Sequence, residues 1–175
     1  MKRNIEETVN ILSRTPGILK SMLTGLPEVI IKSNEGENTW SPFDVVGHLI
    51  HGERTDWIVR IRTILEKGES KTFDPFDRFA QFRESEGKTI DELLNDFSNL
   101  RKENLRVLKD LNLTSGQFKL KGRHPEFGVI TLSELISTWV VHDLDHIAQI
   151  SRVIARQYAD EVGPWKAFLS ILKES

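Results

Sequence analysis

The sequence contains no cysteine. That excludes disulfides, cysteine-ligated zinc and a thiol nucleophile, and it suits a reducing cytoplasm, where we expect the chain to work. No apolar run approaches the ~18 residues that a membrane span needs. The charged residues 1–7 are not followed by the apolar stretch of a secretory leader. Neither charge is in large excess: 24 Lys and Arg stand against 26 Asp and Glu, a net charge of −2. There is thus no global basic field to hold nucleic acid or an anionic membrane, and neither is expected as a partner. Internal repeats, low-complexity tracts, a Gly-rich phosphate loop and a serine-nucleophile motif are all missing. At 175 residues the chain falls within the size of one domain, and we read residues 1–175 as one unit that buries a core without staples.

What the sequence does have is helical periodicity. Apolar residues recur at steps of three and four through Ile5, Val9, Leu12, Leu19, Met22, Leu23 and Leu26. Pro16 interrupts this first segment, so a kink or a restart is expected near Thr15-Pro16. A second helix starts at Ser41-Pro42, with Asp44 in its first turn, and carries Val45, Val46, Leu49, Trp57, Ile61, Ile64 and Leu65 up to a stop at Gly68. Thr89-Ile90-Asp91-Glu92 and Thr131-Leu132-Ser133-Glu134 are capping boxes that open a third and a fourth helix. Between them lie a polar loop at 32–39, a Phe-rich connection at 69–88 with room for one short helix, and a Gly/Pro/basic loop at 113–130. Gly163-Pro164 opens a short last helix with Trp165, Phe168 and Leu169. Gly128-Val129-Ile130-Thr131 is β-prone but too short to argue a sheet. Long segments with one-sided apolar stripes make an all-α helical bundle.

Five histidines are present, and three of them suggest chemistry. His142 and His146, in His142-Asp143-Leu144-Asp145-His146, are four apart on a helix, so both imidazoles can address one ion. His48 sits among apolar neighbours on the second helix and faces inward by the period count. Taken singly, each is a weak sign, because a lone inward histidine is more often a core residue. Periodicity does not say that the second helix faces the fourth. Three neutral imidazoles would leave a divalent ion with open positions, the pattern of a catalytic rather than a structural site. Zinc or nickel is the first expectation, iron the next, and copper is also compatible with the donors. Gln149, seven residues past His142, is placed to line the same pocket, and Asp143 or Asp145 to accept a ligand's second ring N–H. Trp139, one turn before His142, is a candidate wall. His51, one step from His48, is either a fourth ligand, a pocket base or, in the plainer reading, a partly solvated surface histidine.

Thr39-Trp40-Ser41-Pro42-Phe43-Asp44-Val45-Val46-Gly47-His48-Leu49 resembles the second-helix signature of the DinB-like superfamily. So do His124-Pro125-Glu126-Phe127-Gly128-Val129-Ile130-Thr131-Leu132 and the stretch Trp139-Val140-Val141-His142-Asp143-Leu144-Asp145-His146-Ile147-Ala148-Gln149-Ile150. Arg14-Thr15-Pro16 and Gly163-Pro164-Trp165 extend the resemblance over essentially the whole chain. The resemblance implies a four-helix bundle of up-down-down-up type, often a homodimer, with a metal held by one histidine of the second helix and the HxxxH pair. These match His48, His142 and His146. His51 is outside that pattern. The implied activities are small-thiol-dependent S-transfer and hydrolysis of a small molecule. With no obvious base for water in the matching motifs, thiol transfer is slightly favoured. The thiol would be a low-molecular-weight partner. The rival readings are a non-catalytic metal- or small-molecule-binding stress-response protein and a bundle whose histidines are simply core.

Overall fold

Helix starts in this chain are chemically explicit. The structure, a computed structural model, describes residues 5–173 and begins each long helix at its capping residue. The Ser41 hydroxyl accepts from the Asp44 N–H while the Asp44 carboxylate accepts from the Ser41 N–H, which makes this start a full capping box. Thr89 with Glu92 and Thr131 with Glu134 make the same reciprocal pair.

The first bundle helix comes in two pieces, α1 (Ile5–Leu12) and α2 (Thr15–Leu23). The break falls at Ser13-Arg14 and the helix restarts at Thr15, the position expected for a kink or restart, because Pro16 lies in the first turn of α2, where its missing N–H costs nothing. A short α3 (Glu28–Lys32) follows. The second bundle helix bends between α4 (Pro42–Thr55) and α5 (Trp57–Lys67), with Asp56 at φ −109° and ψ −77°. Gly68 ends it at φ +55°, a conformation in which a side chain would be strained. A short α6 (Ala80–Glu84) lies in the Phe-rich connection, ahead of α7 (Ile90–Asp110) and α8 (Leu132–Arg156). The loop between α7 and α8 forms a hairpin. Strand β1 (Lys121–His124) pairs antiparallel with β2 (Gly128–Thr131), from Lys121 opposite Thr131 to His124 opposite Gly128. This corrects the reading of 113–130 as loop: a four-residue β-prone run cannot show its partner in sequence, and the partner is the basic run. Gly122 lets the hairpin approach α5, since a Cβ there would stand 2.6 Å from Ile64. The expected last helix is a 3-10 stretch, Gly163–Phe168, with Trp165 and Phe168 exposed. Among the described residues no helix is long and apolar enough to cross a membrane.

Two apolar clusters fix the helix directions. One joins Val9 and Leu12 to Ile61, Ile64, Leu105, Leu108, Leu132 and Leu135. It therefore gathers the beginnings of the first and fourth bundle helices and the ends of the second and third. The other joins Leu19, Leu23, Val45, Val46, Leu93, Phe97 and Ile150, the opposite ends. The bundle is therefore up-down-down-up. The connection between the two parallel middle helices must then travel the length of the bundle, and residues 68–89 do so.

Candidate metal centre

Between the two apolar clusters, α4 and α8 bring polar groups together in two places. In the first, His48, His142 and His146 converge. His142 and His146 share a face of α8 by their four-residue spacing, and α4 packs on α8 with His48 turned to them. The Nε2 atoms of His48 and His142 are 3.1 Å apart, and those of His146 and His142 3.2 Å. Burial lowers the pKa of all three, to about 3 for His48, and each ring's charge would oppose its neighbours'. Near neutral pH the rings are therefore uncharged and carry free lone pairs.

The donor set fits a divalent ion. Two nitrogens about 2.0–2.1 Å from a tetrahedral zinc stand about 3.3 Å apart. His146 Nδ1 lies 2.7 Å from Gln149 Oε1, which assigns the ring proton to Nδ1 and turns the Nε2 lone pair toward the other rings. Without a cation these contacts are made by a ring N–H donating to a neighbouring lone pair, whereas an ion would be met by all three lone pairs. His48 Nδ1 and His142 Nδ1 are buried and have no protein partner among the described residues, so no second hydrogen bond competes for those orientations.

All three histidines line one end of a cavity of about 390 Å³, within the range of small-molecule sites. Trp40 packs on His48 at 4.7 Å between centroids, Phe76 lies edge-on to it at 5.3 Å, and Trp57 lies edge-on to His142 at 5.1 Å. Asp56 and Arg60, joined by an ion pair, form part of the wall. Burial raises the Asp56 pKa to about 6 against the pull of Arg60. Arg78, His124, Glu126 and Phe127 come from the connection and the hairpin.

The second polar cluster lies within the bundle. Arg101 of α7 is 1% exposed. Its Nε and Nη2 donate to Glu53 Oε1 at 3.1 and 2.8 Å, and Nη1 and Nη2 donate to Asp143 at 2.5 and 2.9 Å. Nη1 also donates to the Leu12 carbonyl, freed by the break in the first helix, at 2.9 Å. Thr15 donates to Asp143, Trp139 Nε1 to Glu53 and Asn104 to Glu53. Each bundle helix contributes at least one member.

Several expectations for the pocket need correction. Asp143 is not a partner of the histidine rings: the 100° step from His142 turns it into the Arg101 cluster, and Gln149 takes the place expected of Asp143 or Asp145. Trp139 is fully buried and does not wall the cavity; it stacks at 5.6 Å on Trp57, which does. His51 is not a partly solvated surface residue. It is 7% exposed, bonds Glu84 through Nδ1 at 3.0 Å, and is separate from the three converging rings. The Phe-rich connection divides: Phe73 joins the core, Phe76 meets His48 and His51, and Phe79 and Phe82 are exposed. Sequence reasoning missed Glu53 and Arg101. Their signal was present, because each is a charged residue on an apolar stripe, at Leu49-Glu53-Trp57 and Phe97-Arg101-Leu105.

Comparison with known proteins agrees with this architecture. The family model of the DinB superfamily matches residues 11–150. Among solved structures, YfiT from Bacillus subtilis is 25% identical, over 91% of this chain and 90% of that one, with a TM-score of 0.74. YfiT is reported as a probable metal-dependent hydrolase with an unusual four-helix bundle topology. A search of curated proteins gives no match.

Proposed function

The chain belongs to the DinB superfamily, and from that premise we propose that it is a metal-dependent enzyme acting on a small molecule, with hydrolysis as the first reading. The observation that carries the proposal is the convergence of three neutral imidazoles at the end of a small-molecule-sized cavity. His48, His142 and His146 would hold the ion through Nε2, and Gln149 would orient His146. A divalent ion held there would supply Lewis acidity for a substrate carbonyl and would lower the pKa of water or a thiol toward neutral pH. Trp40, Trp57 and Phe76 keep bulk water from the rings and offer a substrate aromatic walls. Likeness to YfiT supports hydrolysis ahead of the thiol transfer that the sequence alone favoured.

Thiol-dependent S-transfer is the second reading. Among the described residues no carboxylate hydrogen-bonds the three rings, so a general base for water is not evident beside them. Without cysteine, sulfur chemistry would need an external small thiol.

The test has two steps. Protein prepared without an affinity tag should carry one equivalent of zinc, nickel or iron, and His146→Ala should lose it while helical circular dichroism persists. Metal-loaded protein is then offered activated esters, amides and alkyl electrophiles, with and without cellular thiols. Metal-dependent cleavage without thiol supports hydrolysis, and conjugation that needs both metal and thiol supports transfer. A triple alanine variant that holds metal as tightly as the parent refutes the site. Metal binding without turnover across the panel leaves a binding protein.

A further inference from the structure

The cavity's uncommitted polar groups are mostly of one kind. The Asp56 carboxylate is tied to Arg60 by an ion pair in which both side chains are about nine-tenths buried, so each neutralises the other. Glu134 lines the cavity, but its carboxylate caps α8 by accepting from the Thr131 N–H and hydroxyl at 2.7 and 2.8 Å. The Thr138 hydroxyl donates back to the Glu134 carbonyl. His124 Nδ1 accepts from the backbone N–H groups of Glu126 and Phe127 at 3.1 and 3.3 Å, so its ring proton resides on Nε2, a remaining donor. Arg78 completes the set. The ion pair the structure gives it is with Glu126, across the mouth at 3.9 Å. Both partners of that pair are more than 60% exposed, so water screens their attraction and it is weak.

Arg78 lines the same cavity as the three histidines and Trp40. Away from the three imidazoles, an aromatic enclosure, a loosely held guanidinium and a fixed imidazole N–H leave donors unmatched, while the Asp56 and Glu134 carboxylates are already engaged. Guanidinium suits this role because its planar fork of donors matches a carboxylate.

We propose that this cavity selects small molecules with an aromatic or apolar body and a carboxylate, and that Arg78 holds the carboxylate by exchanging Glu126 for it. The proposal rests on the reading of the cavity as the substrate site. Glu126 is then a competitor for the same guanidinium, so removing its charge should favour the ligand. That outcome separates a specific Arg78 site from a general positive field.

The experiment uses three probes with one body: 3-phenylpropanoate, its amide and 3-phenylpropylamine. Each is titrated by calorimetry into the protein with its metal and after chelation. The carboxylate is expected to bind at least ten-fold tighter than the amide in the metal-loaded protein, and a smaller preference should survive chelation. Arg78→Gln should reduce the surviving preference to less than two-fold and leave amide affinity unchanged, while Arg78→Lys keeps part of it. Glu126→Gln should tighten carboxylate binding about two- to five-fold. Equal affinity for carboxylate and amide, an unchanged preference in Arg78→Gln, a preference for the amine, or no binding of any probe overturns the proposal. An Arg78-dependent preference in a protein that binds no metal would refute the metal enzyme and leave this inference standing. Metal-dependent turnover with no charge preference would do the reverse.

Discussion

Arg101→Met is the most informative single change outside the cavity. It removes the five donations that Arg101 makes to Glu53, Asp143 and the Leu12 carbonyl and leaves a side chain of similar reach. Two carboxylates, Glu53 at 4% and Asp143 at 0% exposure, then remain buried without a cation. Breaking a buried ion pair by deleting one partner costs about 3–5 kcal/mol, because the other partner stays desolvated. For a chain of this size that is a fall in Tm of roughly 6–20 °C. Burial already pushes the Glu53 pKa up against the pull of Arg101 and Asn104. With the guanidinium gone, a buried carboxyl should take a proton above its unfolded pKa of about 4.3. The folded variant then binds more protons than the unfolded chain, so its stability falls as pH rises. The deficit relative to the parent should therefore be larger at pH 8 than at pH 5. Urea unfolding of parent and variant at both values measures it, and Arg101→Lys, which keeps charge but not the fork, should fall between them. A deficit below about 1 kcal/mol at pH 8, or one that grows as pH falls, would refute the account of Arg101 as the counter-ion of both acids.

Gln149→Leu removes the acceptor that orients His146, and metal affinity should drop about 10- to 100-fold with the fold unchanged; equal affinity in a competition titration would show that this bond does not set the ligand. Because burial holds the His48 pKa at about 3, the metal-free unfolded chain gains a proton below pH ~6.5 that the folded chain excludes, and stability should fall by about 1.4 kcal/mol per pH unit for that group between those values. The same depression moves proton competition for bound metal below the window of roughly pH 7 to 5 that ordinary imidazoles give, so release complete at pH 6 in a protein whose circular dichroism is intact would contradict it. Val141 and Leu144 leave apolar surface exposed on α8, and the chain is expected to be a homodimer by light scattering; a monomer at high micromolar concentration would count against this.

Local chemistry was legible in the sequence, and convergence between distant segments was not. Thr89/Glu92 and Thr131/Glu134 mark helix starts because a capping box is complete within four residues. The His142/His146 spacing likewise announces a shared face. That His48 meets them depends on how α4 crosses α8, which no periodicity contains. The bend at Asp56 has neither proline nor glycine to mark it in the sequence. Asp143 faces Arg101 because adjacency along a helix is a rotation of 100°, which separates it from the His142 face. The ion-pair cluster was hidden for a different reason. A charged residue on an apolar stripe says only that a partner must exist, and Glu53 and Arg101 are each other's answer from different helices.

The up-down-down-up order has a consequence for how the two halves of the site are built. Had the middle helices been antiparallel, a short turn would have joined them. Because they are parallel, residues 68–89 must return along the bundle, and the route passes the cavity. Phe73 pins this connection by burial in the core and by its N–H bond to the Arg123 carbonyl at 2.9 Å. Beyond that pin, Phe76 reaches His48 and Arg78 reaches the mouth. The hairpin supplies the facing lip with His124, Glu126 and Phe127. The helices that bear the three histidines are joined from behind by the cluster that links Glu53 of α4 to Asp143 of α8 through Arg101. Substitutions in the lips are therefore expected to change what enters the cavity without moving the imidazoles, since helices carry the three rings and connections form the mouth.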